Sequence, residues 1–515
     1  MRRRVLFLLT IIIIGGNHQA SADGFTHDNR PNVVLIVVDD LGYADMSFLS
    51  QAPQDVKAIG TPAIDLLAEK GAYFTNAYST APICSPSRAG LITGRYQQRW
   101  GNYWYNEGGL PSNELTIPQA LKKLGYNTKK VGKTHMNGGA AEYPTDHGFD
   151  EFLGFMHHTW DYIRLSEKDV EAYKAKGVEE FGCQVIGPLV KNDKREEVSY
   201  ENGFTTEIFT DEAIEFVKRD RGGQPFYIQL SYNAVHQPTY VVPEKYANLV
   251  GIPYTPFDRN ADKWEFPYWE PTDMKHQEFH NQWGHMGKIY PYGRKAYLAQ
   301  LKALDDNIRR LYNTLDEEGK LENTIIIFIS DNGGTINTYS DNTPLRGYKY
   351  MFGEGGIRIP MIISWPQKIP AAKFHNLVSS MDLFPTLLAL VGGSIPENLD
   401  GKSLLPVFNN DSIQHHLSLC WAKGSNKIWA VRKGDWKLTS NCDWEHRGFK
   451  YEDGLCVEGP DDYYPGGTNL FNLKEDIGEV TNLAEKYPEK VKELTGIYKN
   501  WKRAMSRPQK ANDNQ

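Results

Sequence analysis

The run Cys84-Ser85-Pro86-Ser87-Arg88 sets a soft nucleophile four residues ahead of a guanidinium. Pro86 and the helical stretch after it place that nucleophile at a helix N-terminus, where backbone N–H groups favour an anion. Asp39-Asp40 and Asp331-Asn332 supply carboxylate and amide oxygens, hard donors that suit Ca²⁺ or Mg²⁺ and not zinc. An Asp pair alone is more often a turn or a helix cap; here both pairs directly follow apolar runs.

The elements that must position these groups read from hydrophobic patterning. Val33 to Val38 is a continuous apolar run, as expected of a strand buried on both faces of a parallel sheet, and Phe226 to Ser231 and Ile325 to Ser330 are similar, largely apolar runs. Each ends in a polar cluster: Asp39-Asp40, Tyr232-Asn233-Ala234-Val235-His236 and Asp331-Asn332-Gly333-Gly334. Ligands of open α/β sheets bind at that carboxyl edge. Helical periodicity at Ile64 to Lys70, Ile117 to Leu124, Thr210 to Lys218 and Lys295 to Leu315 alternates with the strands and predicts a mainly parallel α/β sheet flanked by helices. Beyond about residue 400 short strands (Trp429 to Arg432, Trp436 to Thr439, Asn469 to Leu473) and a helix near Pro488 to Arg503 predict a smaller α+β subdomain, giving expected units of 23–400 and 401–515. Pro253 to Tyr292 reads as a long loop or insertion.

Residues 1–22 have the form of a signal peptide, with Arg2 to Arg4, an apolar run from Val5 to Ile14, and Ala20-Ser21-Ala22 before the expected cleavage. The run is too short to span a membrane and no lipid-bearing Cys follows, so export to the periplasm or medium without an anchor is expected. Five cysteines is an odd number for an exported chain and suggests one thiol with a chemical role, Cys84; of the rest, Cys442 with Cys456 is the pairing we expect. A net charge of −7 argues against a nucleic-acid partner.

The stretch from Cys84 to Arg95 (C-S-P-S-R-A-G-L-I-T-G-R) resembles the signature of the type I sulfatases of the alkaline-phosphatase superfamily. Gly132-Lys133-Thr134-His135 resembles the family's G-K-x-H element, although Thr134 stands where Trp is common. Asn233 to His236 resembles N-A-P-H, and Leu345 to Lys349 with Glu354 to Pro360 resembles L-R-G-x-K…E-G-G-x-R-x-P. The resemblance implies an alkaline-phosphatase-like fold and one Ca²⁺ held by Asp39, Asp40, Cys84, Asp331 and Asn332. It also implies that Cys84 is oxidised to formylglycine (3-oxoalanine) by a formylglycine-generating maturation enzyme. An aldehyde hydrate offers one oxygen to attack sulfur and a second to expel the sulfate afterwards, splitting one hard step into two. By the same resemblance Arg88, Lys133 and Lys349 bind the sulfate or the hydrate, His135 assists turnover and His236 protonates the leaving alcohol. Aromatics form 12% of the chain, and Trp104, His157, His158 and Trp160 are candidates for facing a sugar ring. The expected substrate is therefore a sulfated polysaccharide or oligosaccharide. An aryl sulfate, a phosphonate or phosphodiester, and an inactive glycan-binding role are the alternatives.

Overall fold

The computed structural model describes residues 30–506 apart from 137–142, 157–161, 163–188, 193–195, 199–202, 255–290 and short loop gaps. Ten strands form the main sheet: β1 (Asn32–Val38), β2 (Ala72–Phe74), β3 (Asn127–Lys133), β4 (Glu151–Phe155), β5 (Leu189–Lys191), β6 (Glu196–Val198), β7 (Phe226–Ser231), β8 (Thr324–Ser330), β9 (Met361–Ser364) and β10 (Ala372–Phe374). Their spatial order is β10-β2-β9-β8-β1-β7-β3-β4-β5-β6. The central five, β8-β1-β7-β3-β4, are parallel, and antiparallel pairings at β9 and β5 lead to the edges.

Alternation along β1 explains its unbroken apolar run. Val34, Ile36 and Val38 pack into one core with α1 (Pro62–Glu69) and, later in the chain, the helices at Thr205–Lys218 and Gly293–Glu317. Val33, Leu35 and Val37 pack into the opposite core with α2 (Cys84–Thr93), α3 (Ile117–Lys123) and the helix at Leu383–Leu390. We label those three remaining helices α4 (Thr205–Lys218), α5 (Gly293–Glu317) and α6 (Leu383–Leu390). Burying each Val or Ile on either face contributes about 1.5–3 kcal/mol, so a polar residue is excluded from both phases of the strand.

A second, four-stranded antiparallel sheet is built from β11 (Leu419–Ala422), β12 (Trp429–Lys433), β13 (Trp436–Ser440) and β14 (Thr468–Asn472), with α7 (Pro488–Met505) packed on it. The expected Cys442–Cys456 bridge is not formed. Cys442 lies as a thiol in the core beside Trp421 and Phe471, while Cys456 packs against the α5 side of the main sheet, its N–H donating to Pro291 O. Two cysteines close in sequence thus serve two different cores. Cys420 is also free and buried, and Cys183 lies outside the described residues. Most of the expected insertion and the whole candidate signal peptide are likewise outside them. Among the described residues no helix is long and apolar enough to cross a membrane.

Candidate active site

Register does what the strand ends alone cannot. Because β1 and β8 pair with Val38 opposite Ser330, Asp39 and Asp331 emerge side by side, and the Asp331 N–H donates to Val38 O. Asp40 turns back with φ 58°, a left-handed conformation in which its N–H reaches Asp331 Oδ1 at 3.3 Å. α2 then delivers Cys84 over this edge: its Sγ lies 3.4 Å from Asp39 Oδ1 and 3.9 Å from Asp40 Oδ1. Asp39, Asp40, Cys84 and Asp331 offer ligand atoms that all lie within 4.8 Å of one another, and all four residues are buried.

Three cations close the ring. Arg88, one turn after Cys84, donates from Nε to Asp331 Oδ2 at 2.9 Å. Lys133, at the end of β3, bonds Asp39 Oδ2 and stands 3.8 Å from the Cys84 sulfur. Lys349 reaches Asp40 Oδ2 at 2.8 Å. Lys349 sits on a loop rather than a strand, and a glycine contact fixes that loop. A Cβ on Gly333 would meet Gly355 O at 1.8 Å, so only glycine lets the Asp331-Asn332 turn lie against residues 346–356. The Gly333 N–H bonds Gly356 O, and the Lys349 N–H bonds Gly334 O at 2.9 Å.

Electrostatics follow from this enclosure. Burial alone would raise the Asp39 carboxyl, but Lys133 and Arg88 outweigh it and hold Asp39 below the usual carboxylate range. For Asp331 burial wins over Arg88, and its pKa is raised. Burial, reinforced by Asp331, pushes the Cys84 thiol well up, so the sulfur is a protonated thiol and a poor nucleophile. Burial would also neutralise Lys349, but Asp40 more than compensates and keeps it charged. His236 is buried, with Nδ1–H donating to Gln237 O at 2.9 Å and Nε2 3.5 Å from Asp40 Oδ2. Burial and then Lys349 depress its pKa well below the ordinary imidazole value.

The donor set fits a hard divalent cation. Asn332 donates through Nδ2 to Asp40 Oδ1 at 2.7 Å, yet its Oδ1 is buried without a hydrogen-bond partner, an oxygen left over by the protein's own bonding. Three carboxylates face three side-chain cations, so an added divalent ion leaves an excess of positive charge for an anion to fill.

The structure therefore brings together Asp39, Asp40, Cys84, Arg88, Lys133, His236, Asp331, Asn332 and Lys349. His135 follows Lys133 at the strand end, half-buried, in left-handed backbone (φ 47°), its N–H on Met156 O. Trp104 is buried against Ala81, Ile83 and Tyr350, next in sequence to Cys84 and Lys349, with Lys423 Nζ 4.3 Å over its ring. His157, His158 and Trp160 lie outside the described residues. Several groups that hold the site escaped the motif reading. Ser87 Oγ donates to Asp331 O at 2.5 Å, and the buried Tyr162 hydroxyl reaches the carbonyls of Asn233 (2.7 Å) and His236 (2.8 Å), bracing the turn that carries His236. Only the position of Ser87 inside the Cys84 motif could have signalled it.

A family model described as Sulfatase matches residues 31–393. N-acetylgalactosamine-6-sulfatase of Canis lupus familiaris is 28% identical over 484 residues, 87% of this chain and 81% of that protein. Arylsulfatase J of Mus musculus is 28% identical over 507 residues, 92% and 75% of the respective chains. The crystal structure of Ps i-CgsB matches with a TM-score of 0.71 at 30% identity, covering 92% of this chain and 93% of that one. Its complex with k-i-k-neocarrahexaose matches with a TM-score of 0.70 at 29% identity. The chain belongs to the sulfatase family and is a sulfuric ester hydrolase of alkaline-phosphatase fold.

Proposed function

We propose that this sulfatase removes sulfate from a sulfated oligosaccharide or polysaccharide outside the cytoplasm, using formylglycine made from Cys84 and one Ca²⁺. The observation that carries the reading is the convergence of Cys84 with three carboxylates and three cations around an unspent Asn332 oxygen. Asp39, Asp40, Asp331 and Asn332 would hold the ion, which supplies Lewis-acid polarisation of a sulfate oxygen. The thiol itself is held protonated by burial, so a matured residue with two geminal oxygens suits this position better than a thiolate does.

The remaining roles belong to the chain's own side chains. Arg88 and Lys133 stabilise charge at residue 84, and Lys349 receives a sulfate oxygen. His135 assists release of the sulfate. His236 is neutral in the resting site because burial and Lys349 keep its proton off. A bound sulfate ester offsets the Lys349 charge, so substrate binding itself raises the imidazole towards the protonated form that can hand a proton to the leaving alcohol. Glycan specificity is supported by the relatives: one acts on N-acetylgalactosamine-6-sulfate groups by name, and another is solved with a neocarrahexaose. Trp104, expected to face a sugar ring, is instead buried with Lys423 over its ring, and supports the rim from beneath.

The test is the mass of the Cys84 peptide from protein made alongside a formylglycine-generating enzyme, followed by sulfate release from a sulfated oligosaccharide panel and an aryl sulfate. A peptide carrying CHO in place of CH₂SH, with faster release from glycans, is the expected result. Modified protein that turns over only aryl sulfates would overturn the glycan assignment, and full turnover by unmodified thiol would overturn the mechanism.

A further inference from the structure

A second set of metal-ligating side chains lies away from the sheet edge. Asp382, immediately before α6, is fully buried, and His415 and His416, just ahead of β11, are 6% and 7% exposed. Both imidazoles aim Nε2 at the same carboxylate: His415 lies 3.2 Å from Oδ2, and His416 lies 2.8 Å from Oδ1 and 3.0 Å from Oδ2. The rings are near perpendicular, 83° apart with centroids 4.7 Å from each other, so the two nitrogens converge without stacking. All three ligand atoms lie within 4.8 Å of one another.

The carboxylate is already held from behind. The Ser379 N–H donates to Oδ2 and the Lys402 N–H to Oδ1, each at 2.8 Å. Those backbone bonds fix its orientation, as outer-shell donors do for metal-binding carboxylates. They also leave about one lone pair per oxygen for two imidazoles that make three contacts there. Lys402 Nζ is turned onto His415 O at 3.0 Å and so faces a carbonyl rather than the ring nitrogens. Tetrahedral zinc with N and O ligands at about 2.0–2.2 Å spaces its ligand atoms roughly 3.3 Å apart. The Asp–His separations need to open by only a few tenths of an ångström to accept it.

We propose that Asp382, His415 and His416 bind a zinc ion, distinct from the catalytic cation, that staples the entry of the C-terminal sheet to the start of α6. Two imidazole nitrogens and one carboxylate, with a fourth position for water, select zinc over calcium, whereas the all-oxygen set at Asp39, Asp40, Asp331 and Asn332 selects the reverse. Binding requires neutral imidazoles carrying their proton on Nδ1, so each Nε2 proton moves to Nδ1 or to solvent as the ion enters.

The experiment uses the full chain, stripped of metal and then dialysed against limiting zinc with excess calcium to occupy the catalytic oxygens. Elemental analysis should find one equivalent of zinc per chain, lost in His416→Gln and kept in Asp40→Asn. Zinc should also raise the thermal midpoint of the parent chain and not of His416→Gln. No retained zinc in the parent chain, equal zinc in His416→Gln, or zinc lost only in Asp40→Asn would each overturn the proposal. Should His416→Gln fail to fold, X-ray absorption on the zinc-loaded parent chain decides: imidazole scattering in the first shell supports the site, and an all-oxygen shell overturns it.

Discussion

Two buried charge clusters in this molecule look alike in composition and differ in what they leave over. At the junction of the two sheets, Lys437 Nζ lies 2.9 Å from both Glu354 Oε1 and Glu479 Oε1, and the three side chains are completely buried. Glu354 Oε2 takes the Tyr78 hydroxyl at 2.5 Å and Arg358 at 3.3 Å, and Glu479 Oε2 takes the Glu354 N–H at 2.6 Å. Every carboxylate oxygen there has a donor. The Asp39–Asp40–Asp331 cluster is equally dry, yet Asn332 Oδ1 has no donor and a sulfur sits where its neighbours are oxygens. Buried charge by itself therefore marks a fastening as readily as a reaction centre; unspent coordination separates the two.

The sharpest way to break that distinction is at Cys84. Cys84→Ala should abolish turnover, a loss of order 10⁶-fold by analogy with removed nucleophiles, while the thermal midpoint stays at the parent value. Comparable turnover in the variant would make the Asp39–Asp40–Asp331 cluster another fastening. Next, chelation should silence turnover and Ca²⁺ should restore it; an enzyme indifferent to chelators, with no calcium found by elemental analysis, would mean the spare Asn332 oxygen has no ion to hold. The Lys437 cluster should behave in the opposite way. Lys437→Met strands two buried carboxylates and should cost about 3–5 kcal/mol of stability, read by denaturant unfolding, with the remaining folded protein keeping its turnover.

The smallest effect probes an acid that belongs to neither cluster. Asp305 is buried, takes the Ala63 and Ile64 N–H groups at 2.9 and 3.0 Å at the start of α1, and leaves Oδ2 without a hydrogen bond, 3.9 Å from Lys302 Nζ. Burial raises its pKa from 3.8 to about 6. Between those values the folded chain binds the extra proton, so this contribution is full below 3.8 and is lost as pH rises through about 6. Asp305→Asn should remove that slope and, by pH 7, gain up to about 3 kcal/mol over the parent. Parallel pH–stability curves for the two proteins would show that the carboxyl is not strained.

What the sequence made legible follows the same physics. Val33–Val38, Phe226–Ser231 and Ile325–Ser330 announce themselves because both faces are apolar. Strand β3 does not, since Asn127–Lys133 reads as polar. Its lysines are buried by partners remote in sequence, Lys129 on Glu151 and Glu212 and Lys130 on Ser231 Oγ. The expected helices at 210–218 and 295–315 begin earlier, at Thr205 and Gly293, because tertiary packing extends them past the clearest periodicity. The motif residues named the chemistry, but the pairing of Val38 with Ser330 that joins Asp39 to Asp331 is a register and leaves no local trace. The Cys442–Cys456 expectation failed for a related reason: spacing carries no record of which core each thiol enters.

All ten residues of α2 are buried, and Cys84 is 1% exposed. No enzyme can take hold of that thiol once the sheet and helices have closed over it. The proposed oxidation is thus an event in the life of the nascent polypeptide, with folding as its deadline. A chain that collapses first is sealed as an inert thiol. The fraction of active molecules in a preparation is then set by a race during synthesis, and slowing the collapse is a route to more active protein without changing a residue.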